Sequence, residues 1–384
     1  MIGGVLAAAL IAAPAPVEAP EGFVVDVYAE AEGARSLARA PNGVLFVGTR
    51  GERVYAVRDV DGDGRGERTT VVAKGLRRPN GVAVRGGDLY VAEIHRVLVY
   101  RGAVQKAGRG EPIGDPEVVS RFPTDEHHGW KYLAFGPDGR LYVQVGAPCN
   151  VCDPDDEVYA ALHRMKPDGS GREVFAHGIR NTVGFDWHPR TKVLYFTDNG
   201  RDWLGDTEPP CEINRAPKAG LHFGFPYCHG GEILDPEFGE GKDCADYVRP
   251  VHRLKAHAAP LGIRFYTAGQ FPKRFRGQAL VAEHGSWNRS RKVGYRVMLA
   301  TLDAAGDVVA YEPFLTGFLD HATQKVSGRP VDMVLTPAGG LLLSDDYAGV
   351  VYRVRYSGAG ETAREDGCVT PGCEPEGDVS GSGR

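Results

Sequence analysis

The hydrophobic positions of this chain do not recur at helical spacing. They fall in short apolar runs, several with strict alternation, each bounded by Gly, Pro, Asn or Asp, which is the pattern of strands and turns. One phrase repeats: a turn built on Pro-x-Gly, then an apolar strand ending in small or acidic residues. It appears as Ala40-Pro41-Asn42-Gly43 before VLFVGT, as Pro79-Asn80-Gly81 with Asp88 opening DLYVAE, and as Gly136-Pro137-Asp138-Gly139 before RLYVQVG. Trp187-His188-Pro189 precedes VLYFTDNG, Arg276-Gly277-Gln278 precedes ALVAEHG, and Thr336-Pro337-Ala338-Gly339 precedes LLLSDD. Most copies carry a second strand such as VYAV, VLVY, YRVML or VYRVRY. The copies recur about every 56 residues, near the roughly 40–50 of a propeller blade before insertions. The expectation is an all-β, six-bladed β-propeller over residues 20–357. A two-sheet sandwich is the alternative, and sandwiches do not repeat one phrase six times.

Composition agrees. The chain has 384 residues with 52 Gly and 26 Pro, roughly a fifth in total against about 12% in average proteins, which excludes long helical architectures. The 9% aromatic content excludes a disordered chain. A net charge of -5 gives no support to nucleic-acid binding.

Residues 1–19 read as a signal peptide. The apolar run from Val5 to Ala13 is too short for a transmembrane segment, and Val17-Glu18-Ala19 offers a cleavage site, although no Lys or Arg precedes Arg35. The expected destination is the periplasm or the extracellular space. Residues 358–384, rich in Gly, Glu and Ser, read as a flexible tail. In an exported chain the local pairs Cys149/Cys152, Cys228/Cys244 and Cys368/Cys373 read as disulfide staples and leave Cys211 unpaired. A zinc site lacks its second pair of ligands, and Asp153 after Cys152 excludes a covalent-haem motif.

Four polar segments carry candidate chemistry. Asp125-Glu126-His127-His128 offers a general base near neutral pH. Arg180-Asn181 offers a planar fork and an amide to carboxylates, or is a surface pair. The run Thr197–Asp202, with Glu212-Ile213-Asn214, supplies oxygen ligands suited to Ca²⁺, or is a polar turn. The basic stretches 284–292 and 328–332 would bind a multi-anionic ligand if they converge at one mouth. Separately, Asp59, Asp61 and Asp63 have the spacing of the first half of an EF-hand loop, but Thr70 stands at the twelfth position.

The strings HHGWKYLAFGPDGRLYVQVGAPCNVC, RNTVGFDWHP, YFTDNGRDWLGD, HFGFPYCHGG, AEHGSWNRS and LLLSDDYAGVVYRV occur in this order. Together they resemble the PQQ-dependent soluble aldose and glucose dehydrogenases, most closely the sorbosone and pyranose dehydrogenase-like branch. The resemblance implies PQQ over the channel mouth and His128 as base. It implies Arg180, Asn181, Asn199 and Arg329 as cofactor-binding residues, and carbonyls of Gly200 and Arg201 on the active-site Ca²⁺. Arg289 is assigned the role of the family's PQQ-binding Lys, which has no direct match. Val331 stands where the glucose enzymes carry a second Arg, and Cys211 where an acidic residue usually precedes Glu-Ile-Asn.

The implied activity is oxidation of a sugar, sorbosone-like aldehyde or polyol by hydride transfer to the quinone, with an external electron acceptor. A propeller lactonase and a non-catalytic sugar- or protein-binding propeller are the alternatives. A lactonase would hold its Ca²⁺ by carboxylates and need no ring of Arg.

Overall fold

A computed structural model describes residues 15–358. It is built from six antiparallel sheets of four core strands each. Blade 6 contains β1 (Phe23–Glu30), which pairs with the strand that ends the described fold. Blade 1 holds β2 (Ala34–Arg39), β3 (Leu45–Thr49), β4 (Val54–Arg58) and β5 (Arg68–Ala73). Blade 2 holds β6 (Gly81–Arg85), β7 (Asp88–Ala92), β8 (Arg96–Tyr100) and β9 (Glu117–Arg121), with the short helix α1 (Ala103–Arg109) inserted. Blade 3 holds β10 (Leu133–Phe135), β11 (Leu141–Val145), β12 (Ala161–Met165) and β13 (Glu173–His177).

Blade 4 holds β14 (Phe185–Trp187), β15 (Leu194–Asp198), β16 (Cys211–Ala216) and β20 (His252–Leu254). Its long insertion carries β17 (Leu221–His222), which joins blade 3 in parallel beside β13, and the hairpin β18 (Cys228–His229) and β19 (Ile233–Leu234). Blade 5 holds β21 (Pro260–Phe265), β22 (Ala279–Glu283), β23 (Arg296–Leu302) and β24 (Val308–Leu315). Blade 6 is completed by β25 (Pro330–Leu335), β26 (Leu341–Asp345) and β27 (Val350–Tyr356).

The ring closes where β1 pairs with β27, from Phe23 opposite Tyr356 to Glu30 opposite Val350. Phe23 anchors that strand, with its ring 4.9 Å from Phe271 and 5.0 Å from Phe314. The second strands are buried on both faces because each blade is covered by a neighbour, so they read as apolar runs rather than alternations. Phe46 and Val54 meet Leu89 and Val91 between blades 1 and 2. Leu45 and Val47 meet Leu342 and Val351 between blades 6 and 1.

The repeated phrase needs one correction of register. In five blades its turn joins the first strand to the second, so a blade begins one strand earlier than the phrase. In blade 2 the phrase sits differently: Pro79-Asn80 precedes β6, and the turn into β7 is Gly86-Gly87, at φ of 57° and 92°. Asn80 is fully buried, and its Nδ2 donates to the Lys131 carbonyl at 2.9 Å.

The channel is plugged by side chains of the innermost strands. Arg264 donates to Tyr132 Oη at 2.9 Å and lies 3.4 Å from Asp332, whose other oxygen accepts the Leu37 N–H at 2.9 Å.

Cys149–Cys152 and Cys228–Cys244 are disulfides, and Cys211 is free and buried. Cys368 and Cys373 lie outside the described residues, as do the tail from 359 on and residues 1–14. The last five residues of the expected signal segment are described and packed: the Ala15 N–H donates to Tyr352 Oη at 2.8 Å, and Glu18 bridges Thr316. Among the described residues no helix is long and apolar enough to cross a membrane.

Candidate active site

The turns between first and second strands lie on one face of the ring. The segments that lead into the first strands and leave the second strands gather on the other. There they enclose a cavity of about 330 Å³, within the roughly 300–1,000 Å³ of small-molecule sites. Blade 1 contributes Arg35 and Arg50, and the segment before β10 contributes His128 and Trp130. The approach to β14 contributes Arg180 and Asn181, and the exit of β15 contributes Asn199, Gly200 and Asp202. Blades 5 and 6 contribute His257, His284, Trp287, Arg329 and Asp346.

His128 is half-buried and sits in the left-handed region at φ 48°, a conformation rare for a non-glycine residue and held only where the surroundings fix it. Its Nδ1 lies 2.9 Å from the Ala147 carbonyl. A carbonyl only accepts, so Nδ1 carries the proton and the Nε2 lone pair is left to act as base. Burial, the Arg180 cation and His127 together push its pKa well below that of an ordinary histidine, so the ring is neutral at pH 7.

Arg180 is 4% exposed. Its guanidinium donates to the Asn150 carbonyl at 2.8 Å, to Asn150 Oδ1 at 2.8 Å and to the Asn199 carbonyl at 3.1 Å. Beneath it, the Asp198 carboxyl accepts the backbone N–H of Arg180 at 2.9 Å and of Asn181 at 2.7 Å. Asp198 lies directly opposite Glu212 in the β15–β16 ladder. Burial and then that second carboxyl raise its pKa to about 8. The Asn181 Oδ1 atom is buried without a protein partner. Asn199 turns its Nδ2 to the carbonyls of Asn181, at 2.8 Å, and Pro260, at 3.2 Å.

Across the cavity, Arg329 donates to the carbonyls of His284 and Gly285 at 3.3 and 3.2 Å. His284 Nε2 lies 2.9 Å from Asp346, whose second oxygen pairs with Arg35 at 2.8 Å. Burial lowers the His284 pKa to about 4. Asp346 is held ionised against its own burial by His284 and Arg35.

Of the residues expected from sequence, His128, Arg180, Asn181, Asn199, Gly200 and Arg329 line this one cavity. Two do not: Arg201, expected through its carbonyl, and Arg289. Arg201 turns its side chain away, to Asp235 at 2.6 Å and Glu237 at 2.9 Å. Arg289 is placed outside the lining: its Nη1 donates to the backbone carbonyls of Asp206 and Ala256. Val331 is packed in the core with Leu261. The cations of the lining instead include Arg35 and Arg50, which no motif marked. Cys211 does line the cavity, and burial raises its thiol to about 11, so a neutral group stands there.

Asp59, Asp61 and Asp63 lie apart from the cavity, on the surface loop between β4 and β5. Glu67, rather than Thr70, completes the group, with the four carboxylates within 4.8 Å of one another.

Two aromatic residues missed by sequence stand at the rim. Trp203 and Trp287 are 65% and 68% exposed with ring centroids 5.5 Å apart, edge to face.

The donor set fits a ligand with several carboxylates. Four arginines face one space and only two acids, Asp202 and Asp346, offset them.

The TrAA12-like family profile matches residues 18–357. An uncharacterised protein of Borreliella burgdorferi is 31% identical over 352 residues, covering 88% of this chain and 91% of that protein. The fold is shared with the calcium structure of a Trichoderma reesei enzyme of carbohydrate-active family AA12, at TM-score 0.78 and 20% identity, covering 90% of this chain and 98% of that one. It is shared too with the holo PQQ domain of Coprinopsis cinerea pyranose dehydrogenase, at TM-score 0.74 and 19% identity, covering 89% and 97%. A third structure is the PQQ-bound aldose sugar dehydrogenase of Streptomyces coelicolor, at TM-score 0.61 and 21% identity, covering 88% and 99%. With a matching profile that spans all six blades, the chain belongs to the TrAA12-like family.

Proposed function

We propose that the protein is a PQQ- and calcium-dependent oxidoreductase acting on a sugar, or on a related aldehyde such as sorbosone, or a polyol. The observation that carries this reading is the neutral His128, fixed with its Nε2 unprotonated, in a cavity lined by Arg35, Arg50, Arg180 and Arg329.

The arginines would neutralise the three carboxylates of PQQ, with the orphaned Asn181 Oδ1 as a further polar partner. Asn199 and the Gly200 backbone would offer oxygen ligands to Ca²⁺. When bound, PQQ supplies an ortho-quinone that accepts a hydride from the substrate carbon. His128 Nε2 takes the hydroxyl proton from that same carbon's oxygen. The Ala147 carbonyl holds the ring so that this nitrogen stays unprotonated before each turnover. Trp203 and Trp287 give the apolar face of a sugar ring a surface to rest on at the rim, where water is otherwise the competitor. A partner outside this chain would then take the electrons. Export to the periplasm or beyond belongs to the same proposal, as the compartment in which such a cofactor and two disulfides are maintained.

The test is direct. Purified protein is loaded with PQQ and Ca²⁺, and reduction of an artificial dye is followed with a panel of aldoses and sorbosone. Saturable, PQQ-dependent dye reduction is expected. No PQQ absorbance on the protein and no reduction with any member of the panel would overturn the reading.

A further inference from the structure

We propose that Asn150, fixed by the Cys149–Cys152 disulfide, is the positioning residue for the cofactor side of the cavity, acting through Arg180. This rests on the reading of the cavity as a PQQ site.

The two shortest hydrogen bonds of the Arg180 guanidinium both end on Asn150. Nε donates to its backbone carbonyl and Nη2 to Oδ1, each at 2.8 Å. The carboxylate nearest to Arg180 is more distant, with Asp202 Oδ2 at 3.4 Å. A buried guanidinium needs its donors satisfied, and two acceptors from one residue fix the plane of its fork. The same Asn150 Oδ1 also accepts the Asp202 N–H at 2.9 Å, and Asn150 Nδ2 returns a hydrogen bond to the Asp202 carbonyl at 3.2 Å. Asp202 in turn accepts from Asn288 Nδ2 at 3.3 Å and faces His257 Nδ1 at 3.6 Å. One carboxamide thereby sets Arg180 from the approach to β14, the loop leaving β15 and, through Asp202, the loops of blade 5.

Asn150 is not itself held by a strand. It lies between β11 and β12, in a stretch with no regular structure. Its constraints are the disulfide, which spans a sequence separation of 3, and the packing of Cys149 and Val151 on Ala147, Ala160 and Phe225. The Ala147 N–H also donates to the Arg180 carbonyl at 2.8 Å. So short a covalent loop removes most of the backbone freedom that Asn150 would lose on ordering. Ala147, at the near end of this segment, is also the residue whose carbonyl sets the His128 tautomer. The stapled segment therefore joins the base to the cofactor arginine.

The experiment titrates apoprotein with PQQ in the presence of Ca²⁺ and reads Kd from absorbance. Asn150→Ala keeps the backbone acceptor and is expected to weaken binding on the order of 10–100-fold, through loss of the charge-assisted Oδ1 bond to Arg180 and of the carboxamide's two bonds to Asp202. Asn150→Asp keeps both acceptors for Arg180 and is expected to recover most of that affinity. The Cys149→Ser/Cys152→Ser double variant, which changes no group facing the cavity, is expected to weaken binding less than Asn150→Ala. In an Arg180→Ala background, Asn150→Ala is expected to have no further effect. Circular dichroism confirms that each variant is folded. Backbone amide exchange across residues 200–206 of the ligand-free protein supplies a readout independent of PQQ, and Asn150→Ala is expected to accelerate it.

An Asn150→Ala penalty of the same size with and without Arg180, or unchanged Kd and unchanged exchange, would overturn the proposal. Wild-type protein that takes up no PQQ would instead sink the functional reading. The exchange measurement would then decide the role of Asn150 alone.

Discussion

A Cβ built on Gly146 would stand 2.5 Å from the Cβ of His128 and 2.9 Å from its carbonyl oxygen. The segment bearing His128 therefore rests on the bare backbone that follows β11, and a side chain at 146 would lift it. Gly146→Ala is expected to cost about 1–3 kcal/mol of stability, the usual penalty of overpacking, and to lower kcat/KM with sugar as the base is displaced. Thermal unfolding and steady-state kinetics check both. A variant as stable and as active as the parent would show that the loop has room.

His128→Ala removes the proposed proton acceptor and leaves the arginines in place. The expected loss in kcat is about 10²–10⁴-fold, the usual contribution of a general base, with PQQ affinity close to that of the parent. As the proposed base His128 would work unprotonated, and burial with the Arg180 cation lowers its pKa. The acid limb of the kcat/KM profile is thus expected below pH 6.5, the pKa of an unperturbed imidazole. An acid limb at or above that value would reject His128 as the titrating base.

Stability should fall on mild acidification for a related reason. Burial lowers His163, His222 and His284 each to about 4. Between the unfolded pKa of about 6.5 and these values, the unfolded chain binds protons that the folded chain does not. Folded stability is therefore complete above about pH 6.5 and is lost as pH falls towards 4. The midpoint of urea unfolding is expected to drop over that window. His163→Gln should flatten the drop, and an equal slope in the variant would assign the effect elsewhere.

The six blades were legible because each second strand is buried on both faces and follows a turn whose residues suit its backbone. Blade 2 escaped that pattern because Gly86-Gly87 replaces the Pro-x-Gly turn, while Pro79-Asn80 serves the channel interior instead. In the site, His128, Arg180 and Asn199 lie in compact strings that fold locally into one loop each. Arg35 lies in β2, within ARSLAR, and nothing nearby in sequence marks it. Its role comes from Asp346, far along the chain. Arg289 shows the converse: a basic loop looks like a ligand site in sequence, but here the guanidinium ties that loop to the carbonyls of Asp206 and Ala256 in neighbouring segments. Trp203 and Trp287 come from separate blades, and only the ring brings them together.

The pairing of β1 with β27 has a temporal meaning. Arg35 stands at one end of the blade order and Arg329 and Asp346 at the other, and the Arg35–Asp346 ion pair, at 2.8 Å, forms only across that seam. A nascent chain with its first five blades made would have His128 and Arg180 but neither Arg329 nor Asp346. Contacts of such long sequence separation form late and slowly. The cavity is therefore completed last, and a fragment of the chain that lacks the final blade lacks Arg329 and Asp346 from its lining.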